Sequence, residues 1–135
     1  MLFRSGGKEE GYMTEQWPVK LSDKPTLLVQ RSLRSGQNVN FDGNVVVLGD
    51  VNPGAEIIAS GHVLVMGALR GMVHAGATGE DTATVTALTL SPTQLRIASH
   101  ITRPPDGSGN EGHKPPETAR IRENAVIIEP YQPQR

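Results

Sequence analysis

Residues 43–67 read GNVVVLGDVNPGAEIIASGHVLVMG, and this stretch decides the fold. The run VVVLG at residues 45–49 recurs 18 residues later as VLVMG at residues 63–67. A period of about 18 residues, made of three short strands and three glycine-marked corners, is what one rung of a parallel β-helix requires. The sequence therefore predicts an all-β solenoid in which each rung stacks on the one before it.

Glycines repeat with the same period as the apolar runs. They fall into three columns: Gly36, Gly54 and Gly71; Gly43, Gly61 and Gly79; and Gly49 with Gly67. Residues of one column should lie about 4.8 Å apart on successive rungs, because that is the spacing of hydrogen-bonded strands. Glycine suits the corners because it adopts positive φ angles that other residues resist.

Extended segments can be assigned along the repeat and beyond it. The predicted strands are residues 26–30, 39–41, 45–48, 57–59, 63–66, 73–75, 84–90, 95–98, 119–121 and 125–128. The corner at residues 76–81 is predicted to be longer than the others. We expect the last strand to pack across the end of the solenoid, because an open rung leaves unpaired sheet edges.

The chain of 135 residues is predicted to contain one domain with short extensions. Residues 1–24 are polar and aperiodic, which predicts a disordered segment or one derived partly from an expression vector. The β-helix domain is predicted at residues 25–130, with a mobile loop at residues 102–118, where four prolines and three glycines occur. Residues 131–135 are a tail.

Composition excludes several classes of function. The net charge of -1 gives no field that would steer nucleic acid or an anionic membrane. The absence of cysteine excludes disulfides, thiolate catalysis and cysteine-based zinc sites. No apolar run approaches the roughly 18 residues of a membrane span or the apolar core of a signal peptide. These features predict a cytoplasmic protein that neither binds nucleic acid nor inserts directly into a membrane.

No catalytic, cofactor-binding or metal-binding site is predicted. His62 and His74 are 12 residues apart, which is not a multiple of the rung, so their rings should not stack into a metal site. Asp42, Asp50 and Asp81 lie near glycine corners, where aspartate ordinarily makes a local hydrogen bond to the backbone. No nucleophile motif or phosphate-binding loop occurs in the sequence.

One corner combines charges of both signs. Arg34 and Arg70 lie just before glycines of the first column, and Glu56 lies two residues after another, in a slot shared with Asn38 and Val73. The rung spacing places Arg34, Glu56 and Arg70 within roughly 10 Å of one another. Two interpretations stay open. The corner is a docking site for another protein, or its charges are simply solvated, since exposed ion pairs contribute only about 0 to 1 kcal/mol.

The assembled motifs resemble the C-terminal domain of the bacterial septum-site determinant MinC. The resemblance rests on RSGQ at residues 34–37, GAEIIASGHV at 54–63, GALRG at 67–71, AGA at 75–77 and LRIA at 95–98. These motifs occur in the family's order and cover roughly residues 26–129.

The resemblance implies a right-handed, three-sided parallel β-helix that forms a homodimer and binds the membrane-associated ATPase MinD in its ATP-bound state. MinD would bring this cytoplasmic protein to the inner membrane as a peripheral component, where it restricts placement of the FtsZ ring and so of the division septum. The implied role is non-enzymatic and needs no cofactor, and FtsZ is a secondary partner. The implied MinD-binding residues are Arg34, Ser35, Gly36, Gln37, Gly54, Glu56, Gly61, Arg70 and Gly71.

Two features depart from the family's pattern. Met72 follows Arg70 and Gly71 at a position where family members often carry a second basic residue, so part of the charge at the site is missing. The family also has a separate N-terminal domain that antagonises FtsZ assembly, and residues 1–24 are too few to form it. We therefore expect the chain to correspond to the localising and dimerising half.

Two other classes remain as alternatives. A bactofilin-like β-helix also repeats short valine and glycine rungs and polymerises end to end, although a covered end would oppose this. Left-handed β-helices include acyltransferases and metal-dependent hydratases. Those enzymes use six-residue repeats and histidines between subunits, neither of which is visible in this sequence.

Overall fold

The computed structural model describes residues 24–103 and 115–133. The predicted disordered segment 1–24, apart from Lys24, therefore lies outside the described residues, as do residues 104–114 of the predicted loop and residues 134–135 of the tail. The two described ranges consist of strands, turns and irregular connections, and contain no helix long and apolar enough to cross a membrane.

Eleven short strands occur in these ranges. They are β1 (Thr26–Val29), β2 (Asn38–Phe41), β3 (Asn44–Val47), β4 (Glu56–Ala59), β5 (Val63–Leu69), β6 (Met72–Ala75), β7 (Val85–Leu90), β8 (Gln94–Ile97), β9 (His100–Thr102), β10 (Glu117–Arg122) and β11 (Ala125–Pro130). The first sheet has the order β1-β3-β5-β7-β10-β11, and the second has the order β2-β4-β6-β8-β9.

Each rung contributes one strand to each sheet, and strands from β1 to β8 pair in parallel within their sheets. A third, narrower side is formed by isolated parallel bridges that join Leu33 to Val51 and Val51 to Leu69. The predicted all-β, three-sided parallel β-helix is therefore confirmed.

The core is a stack of inward-facing aliphatic columns. In strands such as β3 and β4, every second side chain points inward and is buried. The main columns are Val45, Val63 and Val85; Ile57, Val73 and Leu95; and Leu33, Val51 and Leu69. None of these side chains belongs to a residue that is more than 3% exposed. Aliphatic side chains of similar size fill the interior at the rung spacing, so the repeat itself builds the core.

The predicted register is wrong on the third rung. Glu56 pairs with Met72, not with Val73, which is buried one position further along β6. From Val51 the chain takes five residues to reach Glu56, whereas from Leu69, the partner of Val51, it takes only three to reach Met72. The corner between the third side and the second sheet is therefore two residues shorter on this rung.

The glycine column predicted for Gly43, Gly61 and Gly79 also changes at its third member. The backbone N–H of Gly76 donates to the carbonyl of Gly61 at 3.1 Å, so Gly76 takes the position predicted for Gly79. Gly79 lies further along, in the connection of residues 76–84 that joins β6 to β7. The predicted extra length of this corner is confirmed.

The last rung is closed by strands that run antiparallel. β9, which the sequence did not predict, folds back on β8. β10 pairs with β7 and β11 pairs with β10, so the predicted closing strand is a hairpin that extends the first sheet. Ala119 pairs with Val85 and is fully buried, and Val126 packs against the core. The hairpin therefore covers part of the final rung.

Candidate functional site

Three successive corners between the third side and the second sheet lie on one edge of the solenoid. They comprise residues 34–37, 52–55 and 70–71, and together with Glu56 and Met72, the first residues of β4 and β6, we call them the docking corner. Gly36 and Gly54 have φ angles of 88° and 90° in the first two corners. A glycine with positive φ at the third position is typical of a type II β-turn.

The turn at residues 34–37 is held by hydrogen bonds from its own residues. The backbone N–H of Gln37 donates to the carbonyl of Arg34 at 2.9 Å, and the Gln37 side-chain oxygen Oε1 accepts the backbone N–H of Arg34 at 2.8 Å. The next turn repeats the backbone bond, from Ala55 to Asn52 at 3.0 Å. The backbone N–H and the side-chain oxygen of Gln37 both serve the turn, and the Arg34 side chain is exposed beside it.

The first two turns are in direct contact. The backbone N–H of Gly36 donates to the carbonyl of Gly54 at 2.9 Å. Ser35 packs against Gly54 so closely that a Cβ added to Gly54 would overlap the Ser35 hydroxyl and lie 2.9 Å from its Cβ. Gly54 therefore needs to be glycine for two reasons, its positive φ and the contact with Ser35.

The third corner has a different geometry. Gly71 is buried, whereas Gly36 and Gly54 are exposed, and Gly71 is not among the glycines with positive φ. A Cβ added to Gly71 would overlap the carbonyl oxygen of Ala55 and lie 2.7 Å from that of Asn52. The glycine is required here because the shortened third rung runs directly against the backbone of the second.

The charges of the docking corner are unpaired within the described ranges. Arg34, Asn52 and Arg70 form one column, since the residue before each belongs to the bridged column of the third side. Arg34 and Arg70 are exposed and two rungs apart, a separation of about 10 Å. Neither guanidinium, nor the half-buried Glu56, forms an ion pair with another described residue. Two cationic groups are thus available to an acidic partner.

The docking corner contains all but one of the predicted site residues. It brings together Arg34, Ser35, Gly36, Gln37, Gly54, Glu56, Arg70 and Gly71. Gly61 is not part of it. That glycine follows β4 at the other end of the strand and is buried, and a Cβ added there would overlap Oδ1 of Asn44.

Four residues of the docking corner were not among the predicted site residues: Asn52, Pro53, Ala55 and Met72. Asn52 lies between the two arginines in their column, and its side-chain Nδ2 donates to the carbonyl of Leu33 at 3.0 Å. Its distance of 18 residues from Arg34 could have revealed it. Met72 was assigned only as a missing charge, but it is 38% exposed and takes the place next to Glu56 that was predicted for Val73.

A polar ladder follows the opposite corner, at the start of the strands of the first sheet. Asn44 Oδ1 accepts the backbone N–H of His62 at 2.8 Å, and His62 Nδ1 accepts the backbone N–H of Thr84 at 3.0 Å. Burial lowers the pKa of His62 below its ordinary value, with the Lys24 charge adding to the decrease and the Glu80 charge opposing it. The imidazole is therefore a neutral acceptor that links successive rungs.

Two of the corner aspartates, Asp42 and Asp50, accept hydrogen bonds from the next rung, whereas the sequence predicted local bonds to the backbone. Asp50 Oδ1 accepts the backbone N–H of Ala68 at 2.8 Å, and Asp42 Oδ1 accepts the hydroxyl of Ser60 at 2.7 Å. Both bonds reach the following rung, so these carboxylates stabilise the stack. The described ranges contain no group of three or more histidine, aspartate or glutamate side chains that could hold a metal ion.

Two columns on the outward face of β1, β3, β5 and β7 are mainly apolar, and we call them the apolar face. Leu28, Val46 and Leu64 are Cα partners on successive rungs. The second column is Leu48, Met66 and Leu88, which directly follow the aligned inward residues of the next column. The exposed members of this apolar face are Leu28 (51%), Leu48 (43%), Met66 (46%) and Leu88 (42%). Contiguous apolar surface of this kind marks an interaction site more often than scattered single residues do.

Comparison with known proteins identifies close relatives. A family model described as "Septum formation inhibitor MinC, C-terminal domain" matches residues 27–131. The chain is 62% identical over 109 residues to the probable septum site-determining protein MinC of Heliobacterium modesticaldum, which covers 81% of this chain and 37% of that protein. It is 61% identical over 104 residues to the protein of the same description from Acetivibrio thermocellus, which covers 77% of this chain and 46% of that protein. The chain thus spans less than half of these relatives.

A solved structure shares the fold. A chain of the "MinC:MinD cell division protein complex" of Aquifex aeolicus superposes with a TM-score of 0.74 and 34% sequence identity. The match covers 82% of this chain and 89% of that chain. The predicted family resemblance is therefore confirmed by sequence and by structure.

Proposed function

The chain belongs to the family of the septum formation inhibitor MinC, C-terminal domain, and from this membership we propose that it is a non-enzymatic adaptor that binds the ATPase MinD. MinD in its ATP-bound state is associated with the membrane, so binding would bring the cytoplasmic adaptor to the inner membrane as a peripheral component. There it would restrict placement of the FtsZ ring, with FtsZ as a secondary partner.

The observation that carries the MinD proposal is the docking corner. The turn at residues 34–37 is rigid, because Gln37 bonds it through both backbone and side chain, and Arg34 and Arg70 project beside it without ion pairs to described residues. A rigid turn loses little backbone freedom on binding, and a guanidinium can hold a carboxylate through two parallel bonds. The Aquifex aeolicus relative, whose structure was solved as a complex of MinC with MinD, supports the choice of partner.

We further propose that the apolar face of the first sheet joins two copies into a homodimer. Leu28, Met66 and Leu88 lie on β1, β5 and β7, and Leu48 directly follows β3. The charged end of the Leu28 column, Glu129, lies on the hairpin and is paired with Arg120. An identical surface can therefore pack on the apolar columns without burying unpaired charge. A twofold interface uses the same patch on both subunits, so one apolar face is enough to form it.

The MinD proposal can be tested by co-sedimentation with lipid vesicles in the presence of ATP, using MinD from Heliobacterium modesticaldum and from Aquifex aeolicus. We expect Arg34→Ala and Glu56→Ala, made singly, to reduce recruitment of the adaptor. Arg122→Ala is the matched control, because Arg122 is also exposed but lies on β10, in the hairpin that extends the first sheet.

Unchanged recruitment of folded Arg34→Ala and Glu56→Ala proteins would rule out the docking corner as the site. Failure of the unsubstituted protein to sediment with either MinD would reject the partner itself. The dimer is tested separately by sedimentation velocity of Met66→Glu, which should be monomeric, with Ile101→Glu on β9 as the control. A folded Met66→Glu protein that remains dimeric would place the interface elsewhere.

A further inference from the structure

We propose that the shortened third corner forms a notch that receives an apolar side chain of the partner, with Met72 as the specificity-determining contact and Arg70 pairing with a neighbouring carboxylate. The notch consists of Arg70, Gly71 and Met72. This inference rests on the proposed binding of MinD and adds the chemistry of the segment that is recognised, an apolar residue close to an acidic one.

The notch follows from the different lengths of the stacked corners. Between the third side and the second sheet, the chain advances five residues on the first two rungs, from Leu33 to Asn38 and from Val51 to Glu56. On the third rung the chain advances only three residues, from Leu69 to Met72. On the fourth rung it advances four residues, from Leu90 to Gln94. A chain that joins the same two columns with fewer residues must take a more direct path, nearer the axis of the solenoid.

Burial agrees with this recess. Gly36 and Gly54, at the tips of the long corners, are exposed, whereas Gly71 in the short corner is buried against Asn52 and Ala55. On either side of Gly71, however, Arg70 and Met72 are exposed. The third corner therefore has a glycine floor between one cationic and one apolar side chain.

The three N–H groups of the notch, and the carbonyl of its glycine, already have backbone partners. The N–H groups of Arg70 and Gly71 both donate to the carbonyl of Val51, at 2.7 and 3.1 Å, and the N–H of Met72 donates to the carbonyl of Ala55 at 3.0 Å. The carbonyl of Gly71 accepts the N–H of Thr93 at 3.0 Å. A polar group inserted here would lose its bonds to water without replacement, so the floor favours an apolar group.

Charge complementarity selects the neighbour of that apolar group. Arg70 is exposed and forms no ion pair with a described residue, and Arg34 lies two rungs away in the same column. A carboxylate next to the inserted side chain would reach Arg70, and a guanidinium can hold a carboxylate through two parallel bonds. The partner's segment is therefore acidic and amphipathic, with its apolar residue against Met72.

The experiment compares Met72→Ala, Met72→Leu and Arg70→Ala in binding to ATP-loaded MinD on vesicles, with affinity measured at several salt concentrations. Met72→Ala should weaken binding by about threefold to tenfold at every salt concentration, because an apolar contact is lost and no charge is removed. Met72→Leu should restore binding to within about twofold, since Leu and Met have similar volume. Arg70→Ala should weaken binding and also reduce its dependence on salt.

Ile101→Ala is the control, because Ile101 is 57% exposed on the same sheet but distant from the notch. Far-UV circular dichroism and thermal unfolding establish that each variant is folded. If Arg34→Ala abolishes binding while Met72→Ala and Met72→Leu both bind as the unsubstituted protein does, the notch is refuted and the proposed function stands. If MinD does not bind the unsubstituted protein, the proposed function and the notch both fail.

Discussion

Gly71→Ala should destabilise the domain more than Gly36→Ala, although the two glycines were placed in one column by their sequence spacing. At Gly36 an added Cβ meets nothing within 4 Å, so the cost comes from holding alanine at a φ of +88°. At Gly71 the φ is not positive, and the added Cβ would overlap the carbonyl oxygen of Ala55 and approach that of Asn52 to 2.7 Å. The two substitutions therefore test two different constraints.

The size of the Gly71 effect follows from the bonds that must move. Both opposing atoms belong to the backbone, so relief requires the third corner to shift away from the second. Such a shift strains three hydrogen bonds: from Arg70 and Gly71 to Val51, and from Met72 to Ala55. At about 1 kcal/mol for each bond, the loss is about 2 to 4 kcal/mol. For Gly36→Ala, a single residue in the left-handed region costs about 1 to 2 kcal/mol.

Urea denaturation followed by far-UV circular dichroism measures the loss of unfolding free energy for both variants. The comparison holds provided that the dependence of that free energy on urea concentration is the same in each variant. Asparagine separates the mechanisms further, because it tolerates positive φ better than alanine does. Gly36→Asn should recover part of the loss, whereas Gly71→Asn should be at least as unstable as Gly71→Ala. If Gly71→Ala unfolds within about 0.5 kcal/mol of the unsubstituted protein, the close approach of the third corner is wrong.

Three further predictions test features of the stack and of the hairpin that closes it. The free energy of unfolding should decrease as the pH falls from 7 towards 5. The pKa of His62 is lowered from its ordinary value of 6.5, and the protonated ring cannot accept the N–H of Thr84. In urea denaturation at several pH values, His62→Gln should make the midpoint depend less on pH over this range. Asp50→Ala should cost about 1 to 2 kcal/mol in urea denaturation by leaving a backbone N–H of the next rung unpaired, whereas Asp50→Asn, which keeps an acceptor, should cost less. Glu123 and Asn124 form the two-residue turn between β10 and β11, with φ angles of 55° and 66°. Asn-Gly is preferred where both residues of such a turn have positive φ, so Glu123→Asn combined with Asn124→Gly should stabilise the domain by about 1 kcal/mol. The measurement is the midpoint of thermal unfolding, which should rise.

The strands and their stacking could be predicted because two independent periods agree. The 18-residue repeat fixes which strands are neighbours, and the alternation of inward and outward residues fixes which side chains enter the core. For example, β3 and β5 pair residue by residue from Val45 and Val63, as the two aligned runs indicate. The sequence therefore defined the sheet strands of the first two rungs to within one residue at each end, but not their third side, where Leu33 and Val51 lie outside every predicted strand.

The third rung could not be predicted from its glycine, because glycine serves different purposes that look alike in sequence. Gly54 allows a positive φ, whereas Gly71 allows two backbones to approach. Aligning these glycines placed Val73 next to Glu56, an error of one residue that turns an inward side chain outward. The signal that could have corrected this is the match of Ile57 with Val73, both inward aliphatic residues 16 positions apart.

The stacking of side chains and strands from rung to rung also limits where this fold can carry function. Inward columns must keep similar side chains on every rung, and paired strands must keep their length, but a corner can gain or lose residues without breaking either sheet. The docking corner joins the third side to the second sheet, and in a three-sided solenoid such a corner lies opposite the remaining side, here the apolar face of the first sheet. A dimer formed through that face would leave both of its docking corners open. Two simultaneous contacts with MinD on one membrane would then raise the avidity far above that of one corner, by about 10²-fold to 10⁴-fold.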